Sequence, residues 1–183
     1  MSVRPAACSP KARSGCPRRI DVYVNRAAWR RRLMRTATPD FEQRTRDSFA
    51  RQPAMATLGV EIEAVAAGHV VLAMAHRPEL TQQHGFVHAG MVATALDSAC
   101  GYAAYTLMPA DAGVLTIEFK INLLAPARGP RLRFEGRVTK AGRTISVVDG
   151  QAFEHAPGSA ERKLVATMTA TIMTVTGRSD VRQ

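Results

Sequence analysis

The chain has 183 residues, 46% of them hydrophobic, and a formal net charge of +10. That length suits one domain able to bury a core without disulfides, and three cysteines in no paired spacing argue against a disulfide framework or a zinc site and fit a reducing, cytoplasmic setting. The positive balance would ordinarily point to nucleic acid or a membrane surface, yet much of it precedes Asp40, so neither partner is expected for the domain itself.

Residues 1–39 place Arg18, Arg19, Arg26, Arg30, Arg31, Arg32 and Arg35 among Pro5, Pro10, Gly15 and Pro17, with few acids and no apolar periodicity. Such a composition predicts a disordered basic extension. It lacks the continuous apolar run of a secretory signal; a transit peptide, a solvated tail and a start assigned too far upstream, with Met34 as the true first residue, all fit. From Asp40 onward, Phe41, Thr45 and Phe49 share one face of a short helix that Pro53 ends. Val60, Ile62 and Val65 alternate with Glu61 and Glu63, and the run 70–75 follows Gly68, which reads as a hairpin closed by His76-Arg77-Pro78. Residues 79–88 form a loop.

From Ala89, the side chains of Met91, Val92, Ala95, Leu96, Ala99 and Ala103 recur at three- and four-residue intervals until Pro109 stops the helix. A helix apolar nearly all round is buried in a protein or in a membrane. Asp97 and Gly101 break the run short of the roughly 18 residues a span needs, so a central buried helix is expected, with no membrane span. Leu115, Ile117, Phe119, Ile121 and Leu123 then alternate with Thr116, Glu118, Lys120 and Asn122, the pattern of a strand with one face buried and Thr116 on the outward side. Leu132, Phe134 and Val138 alternate more loosely, Ala141-Gly142 turns the chain, and two further strands cover 145–153 and 164–172. The expected fold is α+β, an antiparallel sheet of about five or six strands wrapped around one long central helix over residues 40–176, with a polar tail at 177–183.

Between Leu80 and Ala110, Asp97 is the only formally charged side chain. An unpaired carboxylate in an apolar interior costs several kcal/mol or shifts its pKa, so Asp97 either caps a neighbouring loop or is kept for chemistry. Just upstream, His88-Ala89-Gly90 falls where the helix begins. Free N–H groups and the positive end of the dipole there suit an oxygen that gains negative charge, and the Gln82 amide can donate in the same direction. An amide donor, a helix N-terminus and a carboxylate together suit acyl transfer. His84 and His88 precede the helix and have no third ligand at a familiar spacing, so no metal is expected. Ser98 lacks a Gly-x-Ser-x-Gly elbow, and Cys100 reads as a small buried hydrophobe.

The run Gln82-x5-His88-Ala89-Gly90-x6-Asp97, followed by Asn122-Leu123-Leu124-Ala125-Pro126-Ala127-Arg128-Gly129, resembles the hotdog-fold acyl-CoA thioesterases of the phenylacetic acid degradation (PaaI-like) type over roughly residues 40–176. That family has Asn or Gln, then six residues on His-Gly-Gly, then nine residues after that His an Asp or Glu. This chain departs from it in two ways: Gln82 stands where many members have Asn, and Ala89 stands where the first Gly is usual. The resemblance implies hydrolysis of an acyl- or aryl-CoA thioester to free acid and coenzyme A without a cofactor. Asp97 would be general base or nucleophile, Gln82 and the Ala89 or Gly90 N–H would polarise the carbonyl, and His88 would orient the loop. It further implies a homodimer or dimer of dimers with Thr116 reaching Asp97 from a partner subunit, and Lys120, Asn122, Arg128 and Arg143 as contacts to coenzyme A. The rival readings are an acyl-thioester hydratase or dehydratase of the same fold and a non-catalytic acyl-CoA-binding regulator. A chain starting at Thr38 is expected to be soluble and to keep the activity of the whole protein, because the extension has no apolar face to pack; loss of folding or turnover on truncation would make those residues part of the domain.

Overall fold

Helix and sheet meet where two glycines allow it. The computed structural model describes residues 38–155, 162–178 and 180–181; expectations about residues 1–37 lie outside these. Two short helices, α1 (Phe41–Ala50) and α2 (Pro53–Leu58), lead into strands β1 (Val60–Ala66) and β2 (His69–Ala75). After a 3-10 turn at Pro78–Leu80 comes helix α3 (Ala89–Tyr105), then β3 (Gly113–Leu123), β4 (Arg131–Lys140), β5 (Ile145–His155) and β6 (Arg162–Val175). The strands form one antiparallel sheet in the order β1-β2-β4-β5-β6-β3, and α3 packs along it. This is the α+β architecture expected.

The helix reaches the middle of the sheet because it is lined by small residues and faces glycine. Ala95, Leu96, Ala99, Cys100 and Ala103 are fully buried. On β4, a Cβ at Gly136 would collide with the Ala99 carbonyl, and on β5 one at Gly150 would lie 2.9 Å from Cys100 Sγ. Large side chains from the sheet, among them Phe134, Leu132, Met168 and Ile172, complete the core with Tyr102 and Tyr105 of the helix's last turn. At its far end α3 is closed by α1. Arg44 donates to the Met108 and Pro109 carbonyls at 3.0 Å and lies over the Tyr105 ring, while Ser48 meets the Tyr102 hydroxyl at 3.2 Å.

Three readings of the sequence need correction. Pro53 does not only end α1: it occupies the first turn of α2, where its missing N–H costs nothing. Strand β3 lies at the sheet's edge and its alternation does not mark a buried face: Leu115, Ile117 and Phe119 are 44%, 52% and 42% exposed, and Val114 and Ile121 are only partly buried against the core. Its alternation is also interrupted. A β-bulge between Thr116 and Glu118 shifts the register against β6, so Thr116 lies opposite the buried Ile172 and points towards α3 rather than outward.

The first 37 residues hold ten Lys or Arg and one Asp, a net +9, which leaves +1 for the remaining 146. The domain itself is close to neutral. Gly136→Val is expected to lower stability by about 3 kcal/mol or more, because the obstacle is backbone, whereas Gly101→Ala, with nothing within 4 Å of its Cβ, should gain about 0.5–1 kcal/mol. Denaturant midpoints of the two variants check both directions.

Candidate active site

The loop entering α3 is built from short backbone bonds around Gly85, whose φ of 77° is a conformation suited to glycine. Gln82 N–H donates to the Phe86 carbonyl and Gly85 N–H to that of Gln82, both at 2.9 Å. The Gln82 side chain accepts from His84 N–H through Oε1 at 2.8 Å, which leaves its NH₂ as a donor. His88 N–H bonds to Leu80 and Val87 N–H to Ala127, each at 2.8 Å. The loop is thereby fixed against the segment that follows β3.

His88 is the N-cap of α3. Its Nδ1 accepts the Gly90 N–H at 2.9 Å, which requires Nδ1 unprotonated and leaves Nε2–H as a donor. A Cβ at Gly90 would stand 3.1 Å from that nitrogen, so glycine gives the ring its seat. The structure thus assigns the Gly90 N–H to His88. The exposed Ala89 N–H, at the first position of the helix, has no acceptor among the described residues. Gln82, His88 and Ala89, each with a donor left over, line one cleft of about 440 Å³. Phe86 and Val92 continue that wall, and Leu123, Leu124 and Val165 form the opposite one; no charged side chain lines it.

Asp97 is not in this cleft. It follows Gly90 by seven residues, about 10 Å along the axis at 1.5 Å per residue. The Thr116 hydroxyl, turned inward by the bulge, donates to Asp97 Oδ1 at 2.8 Å within the same chain, which corrects the expectation that Thr116 reaches Asp97 from a partner. Burial raises the Asp97 carboxyl above its usual pKa, and the Thr116 hydrogen bond opposes that shift without cancelling it. On the helix surface around Asp97, Gly90, Ala93 and Thr94 are at least partly exposed.

The four expected contacts to coenzyme A separate. Lys120 and Asn122 lie opposite Thr169 and Thr167 on the outer face of the sheet, and Asn122 donates to the Thr167 hydroxyl at 3.3 Å. Arg143 sits in the β4–β5 turn, about 30 Å along the strand from Arg131, taking roughly 3.3 Å per residue. Only Arg128 is beside the cleft, its guanidinium 4.3 Å from the centre of the Phe86 ring. Leu123 falls within the β3 alternation and Leu124 and Phe86 fall between motif residues, so the sequence does not single out these lip residues. Among the described residues no three His, Cys, Asp or Glu groups could hold a metal ion, and no helix is long and apolar enough to cross a membrane.

One helix packed against a six-stranded antiparallel sheet defines a hotdog-fold protein. A family model described as thioesterase superfamily matches residues 84–159. A crystal structure of a thioesterase family protein from Silicibacter pomeroyi is 53% identical, with a TM-score of 0.72 over 75% of this chain and 99% of that one. The PaaI protein of the Escherichia coli phenylacetic acid degradation operon is 19% identical, with a TM-score of 0.67 over 75% of this chain and 95% of its own, a likeness of fold. Curated relatives carry provisional esterase names; one from Saccharolobus solfataricus is 36% identical over 97 residues, covering 53% of this chain and 64% of that protein's length. The chain belongs to the thioesterase superfamily.

Asp97→Asn is expected to raise the melting temperature at neutral pH. A carboxyl whose folded pKa is raised binds more protons folded than unfolded, so its contribution to stability is lost as pH climbs from the ordinary value of 3.8 through the folded value. The gain in the Asn variant should therefore shrink as pH falls towards and below 3.8; thermal melts of the two proteins between pH 3 and 7 read it directly.

Proposed function

We propose that the protein is an acyl-CoA thioesterase that works as a homodimer, with each site divided between two chains. The observation that carries this reading is the separation of two half-sites on one helix. An oxygen-binding half lies at the N-terminus of α3, and a desolvated carboxylate with an oriented hydroxyl lies about two turns later, too far to act on the same carbonyl. A two-fold partner offers the complementary half. Two features favour such pairing: the free edge of β3 with its exposed Leu115, Ile117 and Phe119, and the small side chains of Gly90, Ala93 and Thr94 beside Asp97, which let a second helix approach.

In this scheme the thioester carbonyl accepts from Ala89 N–H and the Gln82 amide, and its apolar part lies in the cleft. Asp97 of the other chain takes a proton from water while the Thr116 hydroxyl fixes the carboxylate. The water oxygen bonds to the carbonyl carbon, and the oxyanion that forms is stabilised by the same two donors. Collapse breaks the C–S bond, the thiolate takes the proton held by Asp97, and the free acid departs. Direct attack by Asp97 would pass instead through an anhydride that water then opens. Burial favours the first role because it raises the basicity of the carboxylate.

Asp97→Asn is expected to lower turnover by about 10²- to 10⁴-fold. Mixed with Gln82→Ala chains, it should recover about a quarter of wild-type activity, since half the dimers carry one intact site of two. Mixed with Thr116→Ala chains it should recover none, because Asp97 and Thr116 belong to the same half. Free-thiol release from acyl-CoA substrates after subunit exchange distinguishes the two mixtures. Recovery with Thr116→Ala in place of Gln82→Ala would overturn this division of the site.

A further inference from the structure

The bulge divides β3 into two parts, and the shorter one carries Thr116. Before the bulge Gly113, Val114, Leu115 and Thr116 pair with β6, opposite Val175, Thr174, Met173 and Ile172. These four residues lie at the sheet's edge, so no strand among the described residues holds them from the other side. A segment so short and so placed opens readily unless something else fixes it. Its alternation turns Thr116 towards α3, where the hydroxyl meets Asp97 at 2.8 Å, and puts Leu115 and Gly113 on the outer face. The residues after β6 return to that outer face. Val175 ends the strand, Gly177 reverses the chain with a φ of 73°, and Arg178 donates to Asp180 from Nε at 3.0 Å and from a terminal nitrogen at 2.5 Å. Val181 then lies over Gly113, which is buried. A Cβ at Gly113 would collide with the Val181 carbonyl and stand 2.7 Å from its Cγ1. Gly113 has no left-handed φ, so the close approach of the tail is what calls for glycine there. Ala112, just before it, is 1% exposed, and the start of β3 is thereby gripped between the core and the tail.

We propose that Val181, seated on Gly113, is a clamp that holds Thr116 against Asp97, which makes the tail a positioning element of the active site. The proposal rests on the thioesterase reading. Pressed onto the core at its start and paired with β6 along its length, the segment 113–116 keeps its register up to the bulge, and Thr116 keeps its side chain on the carboxylate. Released, it frays from Gly113 onward and the hydroxyl spends part of its time in water. Neither Gly113 nor Val181 lines the cleft, so the clamp acts on the base and leaves substrate binding alone. Burial and the Thr116 hydroxyl set the Asp97 carboxyl, the first raising its pKa and the second lowering it. Loss of the hydroxyl leaves burial unopposed, and the carboxylate is then protonated at a higher pH.

Two variants release the clamp in the full-length protein: Gly113→Ala, whose methyl group displaces the tail, and Val181→Asp, which sets a charge against the buried Gly113. Turnover of an acyl-CoA is followed by free-thiol release from pH 4 to 9, at concentrations where light scattering shows the same assembly as for the wild type. Each variant should lower kcat about tenfold with KM unchanged, the scale of a hydrogen bond to a charged group, and should move the acid limb of the kcat profile to higher pH. Thr116→Ala should do the same, and adding Gly113→Ala to it should cost nothing further, because both changes remove one interaction. Ile62→Val, partly buried in β1 at the opposite edge of the sheet, lowers stability without touching the clamp and should leave the pH limb in place. An unmoved limb in both clamp variants, or losses that multiply with Thr116→Ala, overturns the proposal and leaves the thioesterase reading intact. A wild-type protein that hydrolyses no thioester overturns that reading, and the clamp is then read from the Asp97 carboxyl itself by carbon NMR, assigned with Asp97→Asn. A titration midpoint higher in the clamp variants than in the wild type upholds the clamp, and an equal midpoint overturns it.

Discussion

The contact between α3 and strands β4 and β5 is the constraint on which the other features depend. A helix can be this apolar only if the sheet covers it closely, and the sheet can approach only where Gly136 and Gly150 leave out a side chain. Burial on that side, together with closure of the far end by Arg44, Ser48 and Tyr102, leaves one face at the N-terminal half of the helix uncovered. Polar groups on α3 have few places to be. The free Ala89 N–H and the Asp97 carboxylate belong to the uncovered half, while the Tyr102 hydroxyl is met by Ser48 at the closed end.

Asp97 shows what this placement does to a charge. Desolvation raises its pKa, which disfavours the ionised form in the folded chain and makes it a stronger base when ionised. The Thr116 hydroxyl offsets part of that penalty and fixes one carboxylate oxygen, leaving the other free to accept. An apolar residue of similar size would suit the fold better. A carboxylate that is unfavourable for stability and correctly oriented is therefore more readily explained by chemistry than by packing, which is the pattern expected where function and stability compete.

Periodicity made the helix and all six strands legible, because α3 and the sheet bury most of what they present to each other and burial enforces a repeat. It failed at β3 for a physical reason. An edge strand only partly covered in the single chain has little to penalise a slip in its pattern, and apolar side chains at 115, 117, 119, 121 and 123 concealed a bulge that turns Thr116 inward. The site was legible where one residue type admits few uses, as with a lone acid in an apolar run. It was not legible where hydrogen-bond geometry decides: whether Ala89 or Gly90 offers the free donor depends on the rotamer of His88, which no spacing encodes.

The alternation that misled the sequence reading has its own explanation if the proposed pairing holds. Leu115, Ile117 and Phe119 are apolar side chains that the isolated domain leaves exposed, and they lie on the strand whose backbone donors and acceptors are unsatisfied at the sheet's edge. The bulge then has two effects. It interrupts the edge locally, which restricts how a second strand can register against it, and it aims Thr116 at Asp97. A single irregularity in β3 would in that case fix both the geometry of association and the orientation of the base, so that a chain unable to pair would also be unable to complete its site.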